Sequence, residues 1–156
     1  MSNENIAAGY ILHDGYPSVE DYVHLRTASG LSPKTTAQAT VALQNSWYGC
    51  YVTRADEGPA GKAVAMGRVI GDGGWYFHIA DMAVLPDHQR RGLGDSVLKC
   101  LLAKIKTDAV PGVSYVSLMA DGPGRKLYAK NGFVDGMPAS MGMTLVFNVQ
   151  GSEEGA

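Results

Sequence analysis

Cysteine is scarce in this chain: Cys50 and Cys100 are the only two among 156 residues. One falls in an expected strand and the other in an expected helix, so they lack the close spacing of a zinc or thiol-redox motif. They read as separate buried thiols rather than a disulfide, which suits a reducing compartment. Long apolar runs are missing too. None approaches the roughly 20 residues that span a bilayer, so no membrane partner is expected. The opening residues, Met1-Ser-Asn-Glu-Asn-Ile-Ala-Ala-Gly9, have no basic stretch followed by an apolar one. No secretory signal is read there, and a cytoplasmic location is the expectation. The formal charge is only −2, which gives no general attraction to nucleic acid or anionic lipid, and no nucleic-acid partner is expected. What remains is ordinary for a soluble globular protein: 46% hydrophobic and 18% charged residues. We read residues 1–150 as one domain, large enough to bury about two-thirds of its unfolded surface, and residues 151–156 as a disordered tail.

Along the chain, residues 9–12 read as a first strand. Ser18, with Asp21 three residues on, opens a helix that Gly30 ends. Ser32-Pro33 is a second start signal, for a helix running to about Gln44. Trp47 to Arg54, Lys62 to Ile70 and Trp75 to Val84 read as three meandering strands separated by glycine-rich turns. A helix over 93–106, a strand over Val113 to Met119 and a short helix over 125–131 follow. Phe133-Val134 and Met143 to Phe147 then complete the sheet. The fold class is α/β: a mixed, mostly antiparallel sheet flanked by helices.

The segment around the fourth strand carries the chemistry. Ala83-Val-Leu-Pro86 closes a buried strand, Gln89-Arg-Arg-Gly-Leu-Gly94 follows, and Val97, Leu98, Leu101, Leu102 and Ile105 then recur at helical spacing. A glycine loop feeding a helix N-terminus suits phosphate, because the first helical amides have no intrahelical partner and the dipole adds positive potential. A Walker loop needs Gly-Lys-Ser/Thr after four intervening residues, and a dinucleotide fingerprint needs a third glycine where Val97 stands. Neither fits. The Gln-x-x-Gly-x-Gly pattern of Gln89 to Gly94 resembles the acetyl-CoA signature of the GNAT N-acetyltransferase superfamily. A second block, Gly124-Arg-Lys-Leu-Tyr-Ala-Lys-Asn-Gly-Phe133, is similar to that family's Leu-Tyr-x-x-x-Gly-Phe element. The gap of roughly 30 residues between the blocks leaves room for one helix and one strand, in the family's order. The resemblance covers about residues 9 to 147 and implies a GNAT-like acyl-CoA N-acyltransferase fold.

The resemblance implies a set of site residues. Backbone amides of Gln89, Arg90, Arg91, Gly92, Leu93, Gly94 and Asp95 would hold the coenzyme's pyrophosphate. The strand positions Met82, Ala83 and Val84 would meet the acetyl carbonyl and the pantetheine arm. Tyr128 would face the thioester sulfur and protonate the leaving thiolate. Many members contact the coenzyme with an Asn seven residues before that tyrosine; here the position is Asp121. His78 stands where several members carry a base, and strict alternation along the strand puts it on one face with Met82 and Val84. Asp81, of opposite parity, is the second candidate base, or else a brace for a neighbouring helix or loop. Leu31, Trp47, Trp75 and Phe77, with Tyr16, are the candidate linings of the acceptor pocket.

Taken together, these residues imply an acyltransferase that moves an acetyl group from acetyl-CoA to a primary amine by direct attack. No metal and no nucleophilic cysteine is needed. A small-molecule amine is the favoured acceptor and a protein or peptide amine the rival; a CoA-binding sensor without turnover is the alternative from another class. A monomer or homodimer is expected.

Overall fold

The computed structural model describes residues 6–58 and 60–151. Among these, strand β1 (Tyr10–Asp14) leads into helix α1 (Val19–Ala28) and helix α2 (Thr36–Gln44). Strands β2 (Tyr48–Arg54), β3 (Ala63–Gly71) and β4 (Tyr76–Val84) follow, then helix α3 (Leu93–Asp108), strand β5 (Tyr115–Ser117) and helix α4 (Arg125–Lys130). The sheet order is β1-β2-β3-β4-β5; the first four strands are antiparallel neighbours, and β5 joins β4 in parallel.

The helices cover both faces. On one side Val97, Leu98, Leu101 and Ile105 of α3 pack on Cys50, Val52, Val69, Phe77 and Ile79. Gly67 makes this close approach possible: a Cβ there would lie 2.6 Å from Met82 Sδ and 2.8 Å from Val97 Cγ1. On the other side Tyr22 and Leu25 of α1 and Ala39 and Leu43 of α2 pack on Ala63, Met66 and Ala83. Cys50 and Cys100 are both free and buried.

The β3–β4 pairing holds the feature that organises the site. Met66 faces Ala83, but Arg68 faces Ala80, so β4 contains one residue more than β3 across this stretch. Asp81 sits in the bulge with φ 55°, in the left-handed region. A bulge reverses which face the following residues present. Phe77 and Ile79 lie toward α3 before it, and so do Met82 and Val84 after it. His78 therefore faces away from Met82 and Val84, which corrects the strict alternation read from the sequence.

Other boundaries also differ. α2 begins at Thr36, capped by Thr35, because Thr35 and Gln38 form a reciprocal capping box. The Ser32 carbonyl is instead held by Arg26, at 3.0 Å from Nε and 2.8 Å from Nη2. β5 is confined to three residues of the expected seven. Phe133-Val134 and Met143 to Phe147 are not strands, and the apolar residues of the last segment are open to solvent, Met143 by 95%. The expected disordered tail, 151–156, lies outside the described residues except for Gly151. No described helix is long and apolar enough to cross a membrane.

Candidate active site

Three structural joints converge around β4. The first is at its end. Pro86–His88 form a single 3-10 turn, and Gln89 Nε2 donates to the Val84 carbonyl at 3.1 Å, folding the loop back on the strand. Arg90 (φ 61°) and Gly92 (φ 78°) are both left-handed, with Arg91 between them. Such alternation turns successive N–H groups into one concavity suited to an anion. Gly92 is the N-cap of α3, and the first intrahelical bond of that helix runs from the Ser96 amide to the Gly92 carbonyl. The Leu93 side chain is buried in the core, so that residue can offer a ligand only its backbone. Asp95 is turned aside: its carboxylate accepts from Lys99 Nζ at 2.7 Å and from Asn131 Nδ2 at 2.9 Å.

That second contact is the next joint, tying the start of α3 to the end of α4. Asn131 also donates to the Leu127 carbonyl at 2.9 Å, and Leu127 Cδ2 lies 3.4 Å from the place a Gly94 Cβ would occupy. The short helix bearing Tyr128 is thus fastened to the loop that opens α3. Tyr128 packs edge-on against Phe133, ring centroids 6.0 Å apart, over Gly124, where a Cβ would come 2.8 Å from the ring. Asp121 caps this turn, accepting from the Gly124 amide at 2.9 Å. Burial first, and then the Asp121 charge, push the Tyr128 phenol above its ordinary value, so it stays protonated at neutral pH.

The third joint is the fork between β4 and β5. β5 pairs only with Tyr76, Phe77 and His78. Beyond His78, the β5-facing edge of Ile79 to Val84 has no strand partner among the described residues. His78 stands at the fork and is bonded through Nδ1 to Ser117 Oγ at 3.0 Å, which leaves Nε2 as its available nitrogen. Burial, and secondarily the Arg68 charge, hold its pKa below the usual value. A neutral imidazole with an open nitrogen is equipped to take a proton.

Asp81 shares the α1/α2 face with His78 but is differently committed. Its carboxylate accepts from Tyr22 Oη and Arg26 Nη1 of α1, and from Arg68 Nε of β3 at 2.5 Å. Arg68 Nη1 continues to Ser46 Oγ at 2.9 Å. The bulge thereby fastens α1, and through Arg26 and Ser32 the connection to α2, to the centre of the sheet. Sequence reasoning alone misses Arg26, Arg68 and Asn131. The signal for two of them is an arginine in an apolar setting: Arg68 interrupts Ala63-Val-Ala-Met-Gly-Arg68-Val-Ile, and Arg26 stands on the same helix as Tyr22 and Leu25.

The expected pocket linings separate. Trp75 is 57% exposed and borders a cleft of about 430 Å³ with Ile70, Gly71, Asp72, Tyr76 and His78. Phe77 is wholly buried on the α3 side, with Trp47 packed on it at 4.9 Å. Both belong to the core, because Phe77 has the opposite parity to His78. Leu31 packs against the α1/α2 cluster, as does Tyr16.

Residues 46–135, from just before β2 to just past α4, match the family model of the acetyltransferase (GNAT) domain. The chain belongs to the GNAT acetyltransferase family. A crystal structure of a protein of unknown function from meticillin-resistant Staphylococcus aureus, described as a probable acetyltransferase, aligns at 38% identity. Its TM-score is 0.79, over 88% of this chain and 99% of that one. A GNAT-family acetyltransferase from Streptococcus pneumoniae shares the fold at TM-score 0.71 and 23% identity, over 90% and 99% of the two chains. So does the glucosamine-6-phosphate N-acetyltransferase of Arabidopsis thaliana, at 0.66 and 17%, over 89% and 99%. No curated sequence matches significantly. The protein is therefore an acyltransferase of a family that draws its acetyl group from acetyl-CoA.

Proposed function

We propose that this GNAT enzyme acetylates the primary amine of a small molecule, with His78 as general base and Tyr128 as general acid. The observation that carries the reading is the fork itself: an open β4 edge runs from a neutral histidine at one end to an anion-shaped loop at the other. The loop fits a pyrophosphate: left-handed turns at Arg90 and Gly92, a glycine at the second helical position, and two arginine cations beside it. When bound, acetyl-CoA supplies an activated acetyl thioester.

This chain's residues do the rest. Arg90 to Asp95 hold the diphosphate through backbone N–H groups, the Gln89 amide being already taken by the Pro86 carbonyl at 3.3 Å, and Arg90 and Arg91 add charge that salt screens. The β4 backbone at Met82, Ala83 and Val84 lies along the acyl arm, where an amide directed at the carbonyl oxygen contributes a few kcal/mol when it tightens in the transition state. His78 Nε2 takes the proton that an ammonium must lose before it can attack. Tyr128, kept protonated by burial and Asp121, gives its proton to the departing sulfur. Asp81 positions α1 rather than moving protons.

The test is release of free thiol from acetyl-CoA by the purified protein across a panel of small amines and of peptides. Amine-dependent thiol release with small amines supports the reading. Turnover of peptides alone would transfer it to a protein acceptor. Acetyl-CoA binding with no thiol from any amine would leave a sensor.

A further inference from the structure

The cleft beside His78 is walled by aromatic surface that the fold itself does not use. Tyr76 lies two residues before His78 on the same face of β4, and Ile70 pairs with His78 from β3. Trp75 meets the Tyr76 ring edge-on with centroids 5.4 Å apart, and Tyr115 of β5 backs Tyr76 at 5.4 Å. All four remain substantially open: Ile70 42%, Trp75 57%, Tyr76 44% and Tyr115 52%. Contiguous exposed aromatic surface next to a reactive group marks a binding site more often than a fold requirement.

The charges sort the possible ligands. Among the described residues, no Lys or Arg borders the cleft. Arg68, on the neighbouring strand, is held by Asp81 and Ser46. Asp72, on the rim, uses Oδ1 to accept the amides of Gly74, Trp75 and Tyr76 at 2.8, 3.0 and 3.2 Å. It fixes the turn that presents Trp75 and places a negative charge there. A phosphate or carboxylate on the acceptor would find no cation and one repelling carboxylate. A flat apolar body would find ring faces, and its ammonium would be drawn by the faces and by Asp72.

We propose that the acceptor is an arylalkylamine without an acidic group, its ring seated against Trp75, Tyr76 and Ile70 so that the amine reaches His78. This rests on the acetyltransfer reading above and adds the class of amine. The experiment compares kcat/KM for 2-phenylethylamine, n-butylamine and phenylalanine by thiol release, in wild type and in the Trp75→Ala and Tyr76→Leu variants. A second copy of the chain covering the patch is checked by sedimentation at micromolar concentration. The expected result is at least about tenfold preference for 2-phenylethylamine over both others, roughly the worth of one aromatic contact. The preference over n-butylamine should shrink toward unity in Trp75→Ala, chiefly through KM for the aryl amine, while the preference over phenylalanine, which rests on Asp72, persists. Turnover without preference over n-butylamine, or a preference over n-butylamine that both variants keep, overturns the proposal and leaves acetyltransfer standing. Thiol release from no amine overturns both. A dimer that Trp75→Glu dissolves overturns it in favour of a subunit interface.

Discussion

Replacing Asp81 by Asn separates a positioning carboxylate from a catalytic one. Asn tolerates left-handed backbone as Asp does, so φ 55° at this position is conserved and the change isolates the charge. The side chains of Arg26, Arg68 and Asp81 are only 9%, 15% and 9% exposed. Removing one partner from such a cluster strands buried charge, at a cost of about 3–5 kcal/mol. The Tyr22 hydroxyl can still donate to the amide oxygen of the replacement side chain, so the lower figure applies. Unfolding entropy of roughly 0.33 kcal/mol/K for a chain of 156 residues converts about 3 kcal/mol into a fall in Tm of about 9 °C. The assay is calorimetric melting alongside steady-state thiol release at a temperature where both proteins are folded. Under the bracing role, Tm drops by that amount and KM for the amine rises, since α1 and the connection to α2 loosen; the pH profile keeps its shape. An unchanged Tm together with collapse of kcat, rescued at high pH, would falsify the bracing role and make Asp81 the base.

His78→Ala should lower kcat/KM most below about pH 8 and recover partly at higher pH, where the amine arrives already deprotonated. Because burial and Arg68 depress the His78 pKa, the wild-type acid limb should lie below the ordinary value of about 6.5. The same shift opposes the fold only as pH falls below that value, where unfolded histidine gains a proton that His78 resists. Tyr128→Phe should reduce kcat by about 10²–10⁴ with little change in acetyl-CoA affinity; full activity would mean that the thiolate leaves unaided. Gly94→Glu should fold, since an acidic side chain in the first turn of α3 complements the helix dipole, yet show no acetyl-CoA binding by isothermal titration. Wild-type affinity in that variant would remove the loop from the coenzyme site.

How much of this is legible in the sequence depends on whether the information is local. The turn after β4 and helix α3 are legible because glycine placement and apolar spacing are written within about fifteen residues. The meander of β2, β3 and β4 is legible for the same reason. The start of α2 is not, because two start signals compete. Ser32-Pro33 has an acceptable form, but Arg26 takes the Ser32 carbonyl and also reaches its hydroxyl, at 3.1 Å. Thr35 and Gln38 satisfy each other without outside help. The expected final strand fails because alternation at Met143, Leu145 and Phe147 states only that a strand would be amphipathic. It does not supply the edge to pair with, and β5 offers a ladder of three residues.

The bulge at Asp81 is the deepest of these differences, since it decides which residues share a face. Without it His78 and Met82 would point the same way, and the strand would have to choose between packing α3 and serving the acceptor. One extra residue removes the conflict. Met82 and Val84 turn into the α3 core and leave their backbone along the open edge, while His78 faces the cleft on the far side. Left-handed backbone is tolerated at an aspartate without being preferred, so contacts on its side chain reinforce it. The two arginines and the tyrosine on the Asp81 carboxylate do so. On the proposed function, the charge cluster belongs to the chemistry without entering it: it braces the bulge through which one strand would serve the coenzyme with its backbone and the acceptor with a side chain.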